Sequence, residues 1–134
     1  MSDNLACIGG QFVKAMINAI DGHPYPPHVS IDGGNVYSSI EGKTASGDPI
    51  FLSANFYPLS VDKTRQTNTV EMTASVAWNK GEVSAVIDTR TDRHNNNLPH
   101  VTTGGEGREL DDARQVLAKM SYDIVAAPKR CGLD

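Results

Sequence analysis

The sequence predicts an α+β fold, a two-layer sandwich in which an antiparallel sheet of four to five strands is covered on one face by N- and C-terminal helices. Apolar residues recur every three or four positions near both chain ends, as on one side of a helix, and every second position between them, as on one side of a strand. The links between the predicted strands are too short for a helical crossover, so neighbouring strands must run antiparallel. The two terminal helices are then the available cover for the sheet.

The first helix is predicted near the N-terminus, where Ser2 or Asp3 can cap it. Gly9 and Gly10 interrupt the pattern, and each costs about 1 kcal/mol relative to alanine inside a helix. The two glycines therefore indicate either close packing or an irregular first turn. The helix is expected to end at Asp21-Gly22. The apolar side is formed by Leu5, Ile8, Phe12, Met16 and Ile20.

The middle of the chain predicts strands. "HPYPPH", residues 23–28, is expected to be irregular because its three prolines fix φ and lack an amide donor. Pro58 is expected to close the third strand, and 59–68 reads as a polar connection. The predicted strands are 29–32 and 35–41 around the hairpin turn Gly33-Gly34, then 50–57, and finally the hairpin of 70–78 and 83–87.

A second amphipathic helix is predicted from Leu110 to Ile124, and it is expected to stop before Pro128. Acidic residues in its first turn complement the helix dipole. Residues 91–108 before it read as a long polar loop, and residues 128–134 after it as a flexible tail. The whole chain, 1–134, is expected to form a single domain, because its length is that of one ordinary domain.

The composition excludes several classes of function. The formal net charge is −4, and no stripe of lysine and arginine follows a predicted element, so nucleic acid is not an expected partner. No apolar run is long enough to span a membrane, and no secretory signal is visible at the N-terminus. A cytoplasmic protein that is attracted to a basic partner is expected.

The two cysteines, Cys7 and Cys131, lie near opposite ends of the chain. They could form a disulfide that ties the ends together. For a cytoplasmic protein, however, two reduced thiols are the expectation. Two cysteines without a C-x-x-C motif do not make a zinc site.

No catalytic motif is found. "TTGGEGREL" places glycines before a helix, where anions can bind, but it lacks the lysine and hydroxyl residue of a phosphate-binding P-loop. The serines lack the sequence context of a nucleophile. His94 and His100, with Asp88 and Asp92 upstream, do not follow a metal-ligand spacing. No catalytic residue, metal ligand or cofactor is assigned.

The long polar loop instead favours recognition of a protein partner, since long loops inside compact domains are often functional. Its side chains offer hydrogen-bond donors, acceptors and both signs of charge. The leading hypothesis is a non-catalytic binding or inhibitor protein, such as a bacterial immunity protein that neutralises a toxin or a phage-type inhibitor of a defence enzyme. The candidate partner-binding residues are Asp88, Arg90, Asp92, Arg93, His94, Asn96, His100, Glu106 and Arg108.

Two alternatives come from other functional classes. The first is a small metal-assisted hydrolase or transferase that uses residues 88–106. The second is a dimeric secretion chaperone, which has a similar size and acidity. A helix between strands is usual in such chaperones, and residues 58–68 do not have a helical pattern.

Overall fold

A computed structural model describes residues 2–62, 65–78, 81–91, 100–104 and 107–132 of the chain, and between residues 57 and 104 it describes the backbone and its strand register. Its elements are α1 (Ser2–Ala19), β1 (His23–Pro24), β2 (His28–Asp32), β3 (Asn35–Lys43), β4 (Pro49–Asp62), β5 (Arg65–Trp78), β6 (Gly81–Thr91), β7 (His100–Gly104) and α2 (Arg108–Arg130).

The strands form one antiparallel sheet, which contains seven strands in the described ranges. Its order is β1-β3-β4-β5-β6-β7, and β2 pairs with β3 on the same side as β1 because β4 occupies the other side. The predicted α+β sandwich is confirmed, with both terminal helices packed on the sheet. The sheet is wider than the predicted four to five strands because the two-residue β1 and the later β7 join its edges.

The core lies between the helices and one face of the sheet. Alternate residues of β3 and β4 are buried there, as the period of two predicts for a strand with one covered face. Both helices contribute to the same cluster, so they cover the same face. The members from the sheet are Val36, Ile40, Ile50, Leu52, Ala54 and Phe56, and those from the helices include Ile8, Phe12, Met16, Leu117, Met120 and Ile124.

The β4–β5 hairpin is longer than the sequence predicts. Pro58 does not end β4, and most of the predicted polar connection 59–68 is paired strand. Pairing of β4 with β3 ends at the pair Val36↔Phe56, so beyond Phe56 the described fold gives β4 one neighbour, β5. A proline, which lacks an amide donor, is tolerated on such a one-sided stretch.

The segment predicted as a polar loop, 91–108, is partly regular structure. β6 continues to Thr91, β7 pairs with β6, and α2 begins at Arg108. Gly107 precedes α2, and residues 92–99 and 105–106 lie outside the described part of the chain.

The first residues of the predicted flexible tail, 128–134, belong to α2, Cys131 and Gly132 form a turn after it, and 133–134 lie outside the described residues. Pro128 lies inside α2, which ends at Arg130. The amides of Cys131 and Gly132 donate to carbonyls of the last turn, and Gly132 has the positive φ of 86° that a helix C-terminus favours. The side chain of Asn4 also donates to the Cys131 carbonyl at 2.7 Å, which attaches this end of α2 to α1.

Cys7 and Cys131 form a disulfide, with their Cα atoms 5.8 Å apart. The prediction of two reduced thiols is therefore wrong. It rested on the expected compartment, while the helix packing decides whether the two sulfur atoms meet. The bond joins the first half of α1 to the end of α2. Lys119 on α2 also pairs with Asp21 just after α1, at 2.8 Å, so the two helices run antiparallel.

Candidate functional site

The candidate site is the face of the sheet opposite the helices, called the open face below, where the exposed side of the strands carries mostly polar residues. Cross-strand partners in a sheet share a face, so the strand register assigns each residue to one side. Positions paired with Tyr37, Ser39 and Glu41 of β3 belong to the open face, because the intervening β3 residues are buried in the core. Neither described helix covers this side.

The open face of β3 and β4 carries aromatic, hydroxyl, amide and charged side chains. Phe51 is 37% exposed and lies opposite the exposed Glu41 in the register. Tyr37 is half-buried and pairs with Asn55 two open-face rows away, beyond the pair Ser39↔Ser53. An aromatic side chain surrounded by polar groups is a composition typical of protein-binding surfaces.

One row of the register brings together residues that are distant in sequence. It starts at Tyr37 and Asn55 and continues to Glu71 on β5, Asp88 on β6 and His100 on β7. Adjacent positions in such a row have Cβ atoms about 5 Å apart. The row thus joins two of the predicted partner-binding residues, Asp88 and His100, to a surface that the sequence analysis did not identify.

Of the other predicted partner-binding residues, the structure describes two. Arg90 lies on β6 two residues after Asp88, on the open face by register. Arg108 lies at the first residue of α2, 70% exposed, with its guanidinium 4.0 Å from the Asp48 carboxylate. Asp92, Arg93, His94, Asn96 and Glu106 lie outside the described residues.

The open face carries an excess of acidic residues. Apart from the pair Asp62↔Arg65, whose charges cancel, five carboxylate residues and two cations occupy the described paired positions of this face. With histidines neutral, they give it a formal charge of −3, most of the chain's −4. An acidic surface attracts basic partners and raises their association rate. The acids are Asp32, Glu41, Glu71, Glu82 and Asp88, and the cations are Lys43 and Arg90.

A small depression lies on the helix side, between the end of α1, the turn after β3 and the start of α2. Its volume is about 80 Å³, well below the several hundred Å³ of sites that enclose a metabolite. Lys119 neutralises Asp21 there. The lining is Ile20, Asp21, Thr44, Ala45, Ser46, Ile50, Asp112, Gln115, Val116 and Lys119.

Asp48 belongs to the turn beside this depression. The turn is closed by hydrogen bonds between Thr44 and Asp48, including one from the Asp48 amide to the Thr44 hydroxyl at 3.1 Å. The buried Oδ2 of Asp48 accepts no hydrogen bond within the described residues, and its distance of 4.0 Å from Arg108 is long for an ion pair. These contacts define a structural turn.

The outer side of α2 offers a second exposed aromatic. Tyr122 is 74% exposed, and the guanidinium of Arg130 lies 5.5 Å from its ring centre. The Arg130 guanidinium also donates to Asp123 at 2.8 Å, and this hydrogen bond raises the pKa of Arg130 above its usual value. All three side chains are solvent-exposed, so the ion pair between Arg130 and Asp123 is an ordinary surface pair and contributes little to stability.

Among the side chains that the structure describes, no three histidine, cysteine or acidic groups lie close enough to share a metal ion. Neither described helix combines the length and the apolar run that a bilayer span requires. Comparison of the chain with protein-family models, with curated proteins and with solved structures finds no match in any of the three.

Proposed function

We propose that this chain is a non-catalytic protein-binding module whose open sheet face binds and blocks a basic surface of a partner protein. The particular role that we propose is that of an immunity protein that neutralises a toxin, or of an inhibitor of a defence enzyme. The observation that carries the proposal is the acidic, polar and partly aromatic open face, which neither described helix covers.

Charge and composition support this assignment. Toxins and nucleases that act on phosphate-rich substrates require basic surfaces, and an acidic face with a formal charge of −3 complements them. Phe51 supplies an apolar anchor at this face. Asp88, Arg90 and His100 belong to the proposed contact surface, and Asp92, Arg93, His94, Asn96, Glu106 and Arg108 remain predicted contacts.

The Cys7–Cys131 disulfide modifies the expectation of a cytoplasmic protein. Structural disulfides form and persist in oxidising compartments and are rare in the cytosol. We therefore propose that the module acts in such a compartment. An inhibitor located there would meet a toxin before or during its entry into the cell.

The test uses two variants that replace an exposed acid by lysine. Glu41→Lys reverses a charge on the open face, and Asp111→Lys reverses one on α2, in the helix layer. The partner is obtained by capture from a lysate of the source organism and by co-expression with the products of neighbouring genes. We expect Glu41→Lys to raise the Kd by roughly tenfold or more and Asp111→Lys to change it less than about twofold.

Growth assays and calorimetry give the two readouts. A toxin product whose growth arrest is relieved by the wild-type chain and by Asp111→Lys, but poorly by Glu41→Lys, would support the proposal. Equal binding by both variants would remove the open face from the interface. Failure of every neighbouring product to bind would contradict the immunity role.

One observation favours a second candidate, the small metal-assisted hydrolase. Glu71, Asp88 and His100 are consecutive in one register row, and carboxylate and imidazole groups are common ligands of catalytic divalent ions. Calorimetric titration with Zn²⁺ and Mn²⁺ decides between the two. Binding that is lost in both Asp88→Asn and His100→Ala would favour the hydrolase, and no binding by the wild-type chain would exclude this metal site.

A further inference from the structure

β2 is an edge strand with unusual exposure. All five of its residues are exposed, and β3 is its one strand partner in the described fold. Val29 and Ile31 are 42% and 44% exposed, although they pair with the buried Ser38 and Val36 and so belong to the helix-side face. An exposed strand edge with apolar side chains is a template for pairing with another strand.

The remainder of this sheet edge is protected. The chain before β2 pairs with β3 through β1 and through the Tyr25 amide, which donates to the Glu41 carbonyl at 2.8 Å. This part contains Pro24, Pro26 and Pro27, which cannot donate to an added strand. β2 contains no proline and no lysine, the residues that usually prevent edge pairing. The available edge is therefore limited to five residues.

The sequence of β2, His-Val-Ser-Ile-Asp, is complementary to itself in the antiparallel direction. When two copies are centred on Ser30, each His28 lies opposite an Asp32, each Val29 lies opposite an Ile31, and the two Ser30 residues meet at the two-fold axis. This register is the one that pairs all five residues of each strand. It places imidazole–carboxylate pairs on the open face and apolar pairs on the helix side, where each matches its environment.

We propose that β2 is a self-association edge, through which two copies of this chain form a symmetric dimer with a continuous sheet. A two-fold axis perpendicular to the sheet at Ser30 keeps the helices of both copies on the same side and produces an isologous interface. The two open faces then join into one wider surface. This inference rests on β2 and does not depend on the proposed function.

A charge-swap series measures the pairing. Sedimentation velocity over a range of concentrations gives the dimer Kd of the oxidised, full-length wild-type chain. His28→Asp places two carboxylates opposite each other at both pairs, and we expect the dimer Kd to rise roughly tenfold. Adding Asp32→Lys to His28→Asp restores opposite charges, so the double variant is expected to regain wild-type affinity. Asp111→Lys on α2 serves as the control for a charge change elsewhere.

Site-specific cross-linking tests the register separately. In Ser30→Cys the two new thiols meet at the two-fold axis, since directly opposed Cβ atoms lie about 5 Å apart, and a disulfide-linked dimer is expected under mild oxidation. Ser46→Cys places a thiol at another exposed position, in the turn after β3, and is expected to remain monomeric. Circular dichroism confirms that each variant is folded.

Three results would overturn the proposal. The first is a wild-type chain that stays monomeric at all concentrations. The second is a dimer that His28→Asp does not weaken or that the double variant does not restore. The third is equal cross-linking of Ser30→Cys and Ser46→Cys.

Discussion

Gly9 and Gly10 are neighbours in α1 but have different surroundings. A Cβ atom added to Gly9 would lie 2.9 Å from Cγ1 of Val29, closer than Cβ contacts normally come, whereas one added to Gly10 would meet no atom within 4 Å. Gly9 therefore allows α1 to lie close to β2, and the Ser38 hydroxyl, at 3.5 Å, points toward its carbonyl. The sequence alone indicated close packing as one explanation of the pair but could not assign it to one glycine.

We expect Gly10→Ala to stabilise the protein and Gly9→Ala to give less or no stabilisation. Alanine in a helix interior is favoured over glycine by about 1 kcal/mol, and at Gly10 nothing opposes this gain. At Gly9 the new methyl group must displace Val29. Urea unfolding measures the free energy of unfolding of both variants, and we expect Gly10→Ala to exceed Gly9→Ala by about 1 kcal/mol. Equal stabilisation by the two substitutions would show that α1 does not approach β2 so closely.

At the scale of the elements, the alternating pattern of β4 shows what sequence can and cannot predict. The two faces of β4 follow directly from the spacing of its apolar residues, and the burial of Ile50, Leu52, Ala54 and Phe56 confirms them. The ends of a strand cannot be predicted from this spacing, because pairing with a neighbour extends a strand through polar residues. Residues 59–62 and 65–68 are therefore strand, where the sequence predicts a polar connection.

β7 was missed for a related reason. Its run of β-branched residues, "HVTTG", is a strand signal, but it is short and lies between polar residues. The pairing of β7 with β6 brings His100 opposite Asp88. The open face could not be found from sequence, because its residues come from all the strands and meet through the register.

The alternation predicts opposite outcomes for adjacent residues of β4. Leu52 is fully buried, so Leu52→Ala should lower the free energy of unfolding by about 2–5 kcal/mol. Phe51 points to the open face and is 37% exposed. Phe51→Ala should therefore lower the free energy of unfolding by less than half as much as Leu52→Ala. Denaturant titration compares the two. A larger loss for Phe51→Ala would place the core on the opposite face of the sheet.

At the scale of the whole molecule, the disulfide is the principal difference from the sequence-based expectation. The sequence showed that the two cysteines are near opposite ends but not whether the ends meet. Antiparallel packing of α1 and α2 brings them together, with a sequence separation of 124 residues. Closing so long a loop restricts the unfolded chain strongly, and such bonds stabilise small domains by about 2–5 kcal/mol.

Reduction of the disulfide should therefore lower the Tm by about 10 °C. Thermal unfolding with and without a thiol reductant measures the shift. The double variant Cys7→Ala/Cys131→Ala should melt near the reduced wild-type protein and should not respond to the reductant. An unchanged Tm on reduction of the wild-type chain would mean that the two sulfur atoms are not bonded.

The bond between Cys7 and Cys131 also makes nearly the entire polypeptide a covalent ring. A protease that cleaves one peptide bond inside the ring opens it without releasing a fragment, so both pieces remain in one molecule and the packed helices can hold them in place. A chain closed in this way can therefore stay folded after a single cut. The same closure permits new termini to be introduced at surface turns such as Gly33-Gly34, with the original ends still joined through sulfur.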